Sequence, residues 1–170
     1  MRGENMKLSE TNYDNAETDC CAKLDTERWD EHEFTWENKR FLKDHVRSVF
    51  HIPVNFSAVM TRDHTAIEAA EGYPSEPLWL TDEVSPWRSD VYMAVDRVIP
   101  DADMDELSGT YLTKVFEGPY RNVGKCTKSM EEYVAGKGRD VKKTYYYYAT
   151  CPKCAKHYGK NHVVLFAKVD

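Results

Sequence analysis

The sequence predicts an α+β fold in which a strand–helix–strand–strand module occurs twice in tandem. The same order of apolar runs and breaks is found from Phe41 to Val98 and again from Leu107 to Val169. In both copies a proline stands shortly before an asparagine, Asn55 or Asn122, that can cap the helix. Each module is too small to bury a sheet face alone, so we expect the modules to pack together, with a ligand cleft between them.

In the second copy, Leu107–Glu117 alternates enough to form a strand, and Gly118-Pro119 closes it. A helix is predicted from Asn122 to Gly136, and strands are predicted at Thr144–Thr150 and His162–Val169. The helix is amphipathic, because one stripe recurs at spacings of three and four residues. Its members are Val123, Cys126, Thr127, Met130, Tyr133 and Val134.

The first copy begins with Phe41–Ile52, whose apolar residues fit a strand and a helix equally well. We assign a strand because of the parallel with the second copy. A helix from Asn55 to Ala70 follows, and after a Gly72–Pro74 break the strands Pro77–Val84 and Ser89–Val98 are predicted.

Length and composition indicate the domain organisation. The chain has 170 residues, of which 41% are hydrophobic, enough for one substantial core. We therefore expect one domain over residues 25–170, with modules at about 40–98 and 107–170. Residues 1–24 are polar and acidic, and we expect a disordered lead-in. No apolar run reaches membrane-spanning length and no signal-peptide pattern is present, which predicts a cytoplasmic protein with no membrane partner.

The net charge of −6 comes from residues 1–33, which hold 10 acidic and 4 basic side chains, while the other 19 acidic and 19 basic side chains balance. The predicted domain has no net field to attract nucleic acid, and it shows no helix-turn-helix or basic stripe. Nucleic-acid binding by this chain alone is therefore not expected. The sequence leaves the oligomeric state open.

Aromatic residues are frequent in the predicted sheet. Neighbours on a strand face opposite sides, so the last strand has one aliphatic face and one mixed face that carries Phe166. A mixed aromatic and polar face suits a pocket for a flat, partly apolar molecule, although aromatic residues also simply favour sheets. The candidate ligand-binding residues are Trp36, Trp79, Trp87, Tyr92, Tyr111, Tyr145, Tyr147 and Phe166.

A segment ahead of the first module carries Trp29, Phe34 and Trp36 among acidic residues. We expect it to be extended and to lay its rings on the core. The simpler interpretation is a packing strap, since buried aromatic residues are more often core than ligand contacts. The alternative is a lid over the cleft.

The segment Thr113–Tyr120, the helix after it and the closing hairpin resemble the second half of the gyrase-inhibitor-like (GyrI-like) small-molecule-binding domain. More narrowly, residues 20–169 resemble a group of stand-alone bacterial and archaeal proteins, some of them labelled hydrolases. The shared motifs are Cys20-Cys21, His51-Ile52-Pro53, Ser85-Pro86-Trp87, Ser89-Asp90, Leu107-Ser108-Gly109-Thr110 and Cys151-Pro152-Lys153-Cys154-Ala155-Lys156.

The resemblance implies a concave antiparallel sheet, two packed helices and an intermodule cleft that binds small aromatic or amphipathic molecules. The protein would then be a stand-alone sensor, sequestering protein or protective factor. Drug-sensing relatives carry an acidic residue near the start of the last strand, where this chain has Asn161-His162. Glu117 is the candidate substitute, although a glutamate at a turn is more often simply a surface residue.

A hydrolase using the same pocket is the second hypothesis. Some GyrI-like proteins open a strained cyclopropane ring by adding water, and here Glu117 would activate the water while Tyr120 supplies a hydroxyl. No Ser-His-Asp order, nucleophile elbow or phosphate loop is present. Binding without turnover is therefore the preferred function.

The cysteines give a third hypothesis, a zinc-stabilised protein-interaction module. Cys151 and Cys154 have the spacing of a zinc knuckle, and Cys20 or Cys21 with His157 would complete four ligands if the N-terminal segment folds back. Ordinary reduced thiols and a redox pair are the alternatives. No other cofactor is predicted.

Overall fold

A computed structural model of the chain describes residues 25–149 and 161–170. The chain divides into two compact units. Unit 1 comprises the segment that ends at Trp36 together with Gly109–Asp170, and unit 2 comprises Glu37–Ser108. The aromatic N-terminal segment therefore folds with the second predicted module rather than with the first.

The structure is α+β, as the sequence predicts. In chain order the described elements are α1 (Thr26–Trp29), β1 (His32–Val49), β2 (Ile52–Pro53), α2 (Phe56–Ala69), β3 (Trp79–Ser85), β4 (Arg88–Ala94), β5 (Met104–Glu117), a 3₁₀ turn (Tyr120–Asn122), α3 (Val123–Gly136), β6 (Lys143–Tyr148) and β7 (His162–Lys168).

Strand β7 is the centre of unit 1. It pairs antiparallel with β5 on one side and with β6 on the other. Its aliphatic face packs against the apolar stripe of α3, as the alternation predicts. The buried cluster consists of Leu112, Met130, Val134, Tyr146, Val163, Leu165, Ala167 and Val169. Helix α3 ends before Gly138, whose φ of 72° is the left-handed conformation that closes many helices.

Unit 2 contains four strands, each antiparallel to the next, in the order β2, β1, β4, β3. Opposite residues share a face, and the pairing of Leu42 with Met93 places both toward α2. The largest buried cluster there consists of Leu42, Met60, Ile67, Met93, Val95 and Ile99, and Trp79 packs against it. The next cross-strand row along β1, β4 and β3 lies on the other face.

Most predicted elements are confirmed, and the differences have local causes. The ambiguous Phe41–Ile52 is a strand only as far as Val49, because Phe50 and His51 turn the chain with positive φ angles and Ile52 begins β2. Strand β1 also extends back to His32, since the alternating segment around Phe34 and Trp36 continues it. Strand β4 ends at Ala94, since the amide of Asp96 bonds instead to the carbonyl of Gly72.

Several sequence-based predictions fall outside the described residues. These are the lead-in over residues 1–24 and the four candidate zinc ligands Cys20, Cys21, Cys151 and Cys154. Within residues 25–149 and 161–170 no three His, Cys, Asp or Glu side chains are grouped so that they could hold a metal. None of the described helices is long and apolar enough to cross a membrane.

Helix α2 carries a buried carboxyl group toward β1. Asp63 is only 3% exposed. Its neighbour Asp44, on the α2 side of β1, is bound by the Arg62 guanidinium at 2.5 Å. Burial, and then a hydrogen bond with Asp44, raise the pKa of Asp63 to about 7. The pair therefore holds a proton that an exposed aspartate would have lost.

This proton makes stability depend on pH. A carboxyl whose folded pKa is raised stabilises the fold fully below its unfolded pKa of about 3.9, and that contribution is lost as pH rises through about 7. We predict that Asp63→Asn flattens the fall in melting temperature over this window. Thermal melts at several pH values measure it, with exposed Asp96→Asn as the control. An unchanged slope in Asp63→Asn would contradict the assignment.

Candidate functional site

The face of unit 1 that points away from α3 is lined with aromatic rings. The register places Tyr145 opposite Phe166, and Phe166 opposite Thr113. Tyr111 and Tyr147 lie on the same face, because they are two residues from these positions. We call the four rings of Tyr111, Tyr145, Tyr147 and Phe166 the aromatic face.

Residues 26–36, which we call the strap, lie on this aromatic face. The Trp29 ring centroid is 5.3 Å from Phe166 and 6.2 Å from Tyr147. The Trp36 centroid is 4.6 Å from Tyr111 and 5.9 Å from Phe166. These spacings fall within the range of favourable aromatic pairs. The expectation that the segment lays its rings on the core is therefore confirmed within unit 1.

Polar contacts hold the strap in register along β5. The buried Thr113 hydroxyl donates to the carbonyl of Trp29 at 2.6 Å, and the amide of Val115 donates to Asp30 Oδ1 at 3.1 Å. Between these two residues of β5, Lys114 places its Nζ 2.8 Å from Glu31 Oε1 of the strap. Three consecutive residues of β5, 113–115, thus contact three consecutive residues of the strap, 29–31.

Electrostatics favours the docked strap only modestly. The hydrogen bond and charge of Lys114 lower the pKa of Glu31, and the same hydrogen bond raises the pKa of Lys114. A further ion pair joins Arg139 Nη1 to Glu33 Oε2 at 3.2 Å. Both acidic partners are more than half exposed. Exposed pairs of this kind contribute little, so the rings and the hydrogen bonds from Thr113 and Val115 hold the strap.

Three rings of the aromatic face are more deeply buried than the strap rings above them, and we call the two groups the floor and the cover. Tyr111 and Phe166 are fully buried, and Tyr145 is 6% exposed. The rings of the strap, Trp29 and Trp36, are half-buried. An aromatic floor therefore lies beneath a short segment whose rings reach solvent.

The candidate catalytic carboxylate lies at one end of the same face. Glu117 has the same strand parity as Tyr111, and its side chain is 54% exposed. Its Oε2 is 3.8 Å from Nε2 of the opposing His162. Tyr120 begins the 3₁₀ turn that follows, but its side chain lies outside the described part of the structure.

The other predicted ligand contacts lie in unit 2, in three different settings. Trp79 packs on Phe56 of α2 at 5.9 Å and joins the helix-facing core. Trp87 is 55% exposed in the turn between β3 and β4. Tyr92 is buried on the opposite face of that sheet, with Lys43 Nζ 5.1 Å from its ring. Whether any of these three residues contacts a ligand stays a prediction.

Sequence analysis misses one cluster in unit 2. His45 and Asp90, which lie on β1 and β4, are directly opposed and joined by a hydrogen bond of 2.7 Å. The sequence singles out Asp90 only within the shared Ser89-Asp90 motif. The alternation of Lys43, His45 and Arg47 along one strand is the signal that could have indicated a polar face.

A family model described as "Bacterial hydrolase" matches residues 11–169 of the chain. No curated protein matches significantly. The match spans both compact units of the structure.

Solved structures share the fold at low sequence identity. The C-terminal domain of EcmrR is 9% identical, with a TM-score of 0.59 over 84% of this chain and 98% of that chain. An uncharacterized conserved protein from Listeria innocua is 13% identical, with a TM-score of 0.60 over 83% and 92%. A hydrolase from the same organism is 11% identical, with a TM-score of 0.58 over 84% and 92%. These matches fit the GyrI-like fold family.

The geometry predicts that the Trp29 ring secures the strap. Replacing Trp29 with alanine removes its contacts with Phe166 and Tyr147, at a cost of roughly 2 kcal/mol from ring pairing and lost burial. Amide hydrogen exchange in residues 26–36 should accelerate at least tenfold. The matched control is Trp87→Ala, which removes an exposed tryptophan of unit 2. Equal exchange in both variants would show that the strap is held by other contacts.

Proposed function

Because the chain belongs to the bacterial hydrolase family and the solved structures similar to it fit the GyrI-like fold, we propose that unit 1 binds a small aromatic or amphipathic molecule at its aromatic face. The observation that carries this proposal is the pair of half-buried strap rings on a buried aromatic floor. The protein would act as a stand-alone sensor, sequestering protein or protective factor of the tandem-module type.

In the proposed binding step, the flat ring of the ligand replaces a ring of the strap on the aromatic face. A flat ligand enters between the strap and the aromatic face, lifting Trp29 from Phe166 and stacking in its place. Each lost ring pair costs about 0.5–1.5 kcal/mol, and the ligand recovers a contact of the same kind. The exposed ion pairs of the strap add little resistance. The strap would thus serve as a lid.

The chemistry of the face limits the ligand class. Its four rings present three phenol hydroxyls, from Tyr111, Tyr145 and Tyr147, beside the all-carbon ring of Phe166. Tyrosine combines an apolar body with a polar edge, so it suits partly polar planar molecules better than purely aliphatic ones. Glu117, at the exposed end of the face, offers a carboxylate to an amphipathic ligand with a basic group.

Hydrolysis at the same face is the second candidate function. The observation that favours it is the placement of Glu117 on the tyrosine side of β5, with its carboxylate within 3.8 Å of His162. A carboxylate there could orient or deprotonate a water that attacks an electrophilic ring carbon. The hydroxyl of Tyr120 would then polarise the departing group.

The binding proposal predicts that a planar dye such as acridine orange binds with a micromolar Kd, about −8 kcal/mol, and quenches tryptophan emission. Tyr147→Ala should raise the Kd at least tenfold, because this half-buried ring borders both the strap and the floor. Tyr73→Ala, which alters an exposed tyrosine of unit 2, is the control. Equal Kd values for both variants and the wild type would rule out the aromatic face as the binding site.

The turnover proposal predicts that incubation with a cyclopropane-bearing alkylating compound yields its water adduct. Glu117→Gln should lower the rate at least tenfold, about 1.4 kcal/mol of transition-state stabilisation. Glu132→Gln, at an exposed position on α3, should leave the rate unchanged. Product analysis by mass spectrometry measures both. A wild-type protein that binds the compound and returns it intact leaves the binding function alone.

A further inference from the structure

Unit 2 carries a histidine–aspartate pair on the sheet face that points away from α2. His45 Nδ1 lies 2.7 Å from Asp90 Oδ1. The aspartate side chain is 7% exposed, whereas the histidine side chain is 46% exposed. A buried carboxylate therefore holds an imidazole whose outer edge reaches solvent.

The contact determines the tautomer. A carboxylate only accepts hydrogen bonds, so in the neutral imidazole the hydrogen lies on Nδ1 and Nε2 keeps its lone pair. Burial raises the pKa of Asp90, but hydrogen bonds from Arg88 and His45 outweigh burial and hold it below its ordinary value. The carboxylate is ionised at neutral pH and can stabilise an imidazolium that forms beside it.

Two cations and two further carboxylates surround the pair. Arg88 Nε donates to Asp90 Oδ1 at 2.9 Å, and Arg88 Nη2 lies 3.0 Å from His45 Nδ1 and 3.4 Å from His45 Nε2. Lys43 Nζ is 3.8 Å from Asp90 Oδ2 and 3.6 Å from Asp105. Asp82 of β3 is directly opposite Asp90 in the next strand. Arg88 therefore brings a cation within reach of a group held at Nε2.

We propose that His45, oriented by Asp90, is a general base that activates water to hydrolyse a small carboxylic ester or lactone. Nε2 takes a proton from water while the water oxygen forms a bond to the carbonyl carbon, and the carbonyl electron pair moves to oxygen beside Arg88. The tetrahedral intermediate then breaks its bond to the alkoxy group. That group takes the proton from Nε2, and acid and alcohol leave while His45 returns to its neutral form.

The ester class follows from the groups present. Among the described residues, the cross-strand row of His45, Asp90 and Asp82 contains no hydroxyl or thiol nucleophile. Water is therefore the direct attacking group. A planar carbonyl that gains negative charge matches a guanidinium placed within reach of Nε2. Tyr92, next to this row on the same face, favours an aryl ester or an aromatic lactone.

The test is hydrolysis of p-nitrophenyl acetate and of dihydrocoumarin by the full chain. The site uses none of the residues of the aromatic face, so its failure would leave the binding proposal standing. His45→Gln should reduce the rate at least tenfold, whereas His51→Gln, which alters another exposed histidine of unit 2, should not. Asp90→Asn should reduce the rate by a similar factor, and thermal melting of each variant checks that it is folded.

General-base chemistry leaves further signatures. The wild-type rate should fall in deuterated water, and no burst of product from an acetylated enzyme should precede steady turnover. Equal rates for His45→Gln and His51→Gln, or an acetyl-enzyme burst, would overturn the proposal.

Discussion

Strand β7 must be covered on both faces, and unit 1 is organised around that requirement. Its residues from Val163 to Ala167 are all buried. Helix α3 covers the aliphatic side, and the strap covers the aromatic side with Trp29 and Trp36. The helix is a continuous amphipathic element, whereas the strap runs from α1 into the first residues of β1 and is docked by rings, by hydrogen bonds from Thr113 and Val115, and by exposed ion pairs. One face is therefore covered by a helix, while the other is covered by the strap, which we propose that a ligand lifts.

In unit 2 the two faces of the sheet carry different kinds of side chain. Its helix-facing side is apolar around Leu42 and Met93, apart from the protonated pair that includes Asp63. Its other side carries ion pairs around the buried Asp90. A buried carboxylate is costly unless it is hydrogen-bonded, and here it bonds to both His45 and Arg88. The arrangement that satisfies Asp90 also fixes the imidazole.

The sequence predicted the features that follow from the repeat of the backbone, namely strand faces and helix bounds. It missed the contacts between residues that are distant in sequence. Strand alternation separated the aliphatic face of β7 from the face of Phe166, and the apolar stripe located α3 nearly to the residue, since both patterns are local. Which of the tyrosines 145–148 share the face of Phe166 depends on the strand register, which the structure supplies. The Thr113–Trp29 bond joins residues 84 positions apart, which no periodicity reveals. The pairing of His45 with Asp90 likewise depends on a register between strands separated by α2 and β3.

The central claim is that a ligand enters beneath the strap, and the indole N–H resonances test it most directly. The chain has four tryptophans, two of which, Trp29 and Trp36, cover the aromatic face. A titration of ¹⁵N-labelled protein with acridine orange should shift these two indole signals together and leave those of Trp79 and Trp87 in place. Shifts confined to Trp79 or Trp87 would contradict the account, because the ligand would then bind to unit 2 and the strap would be a structural cover.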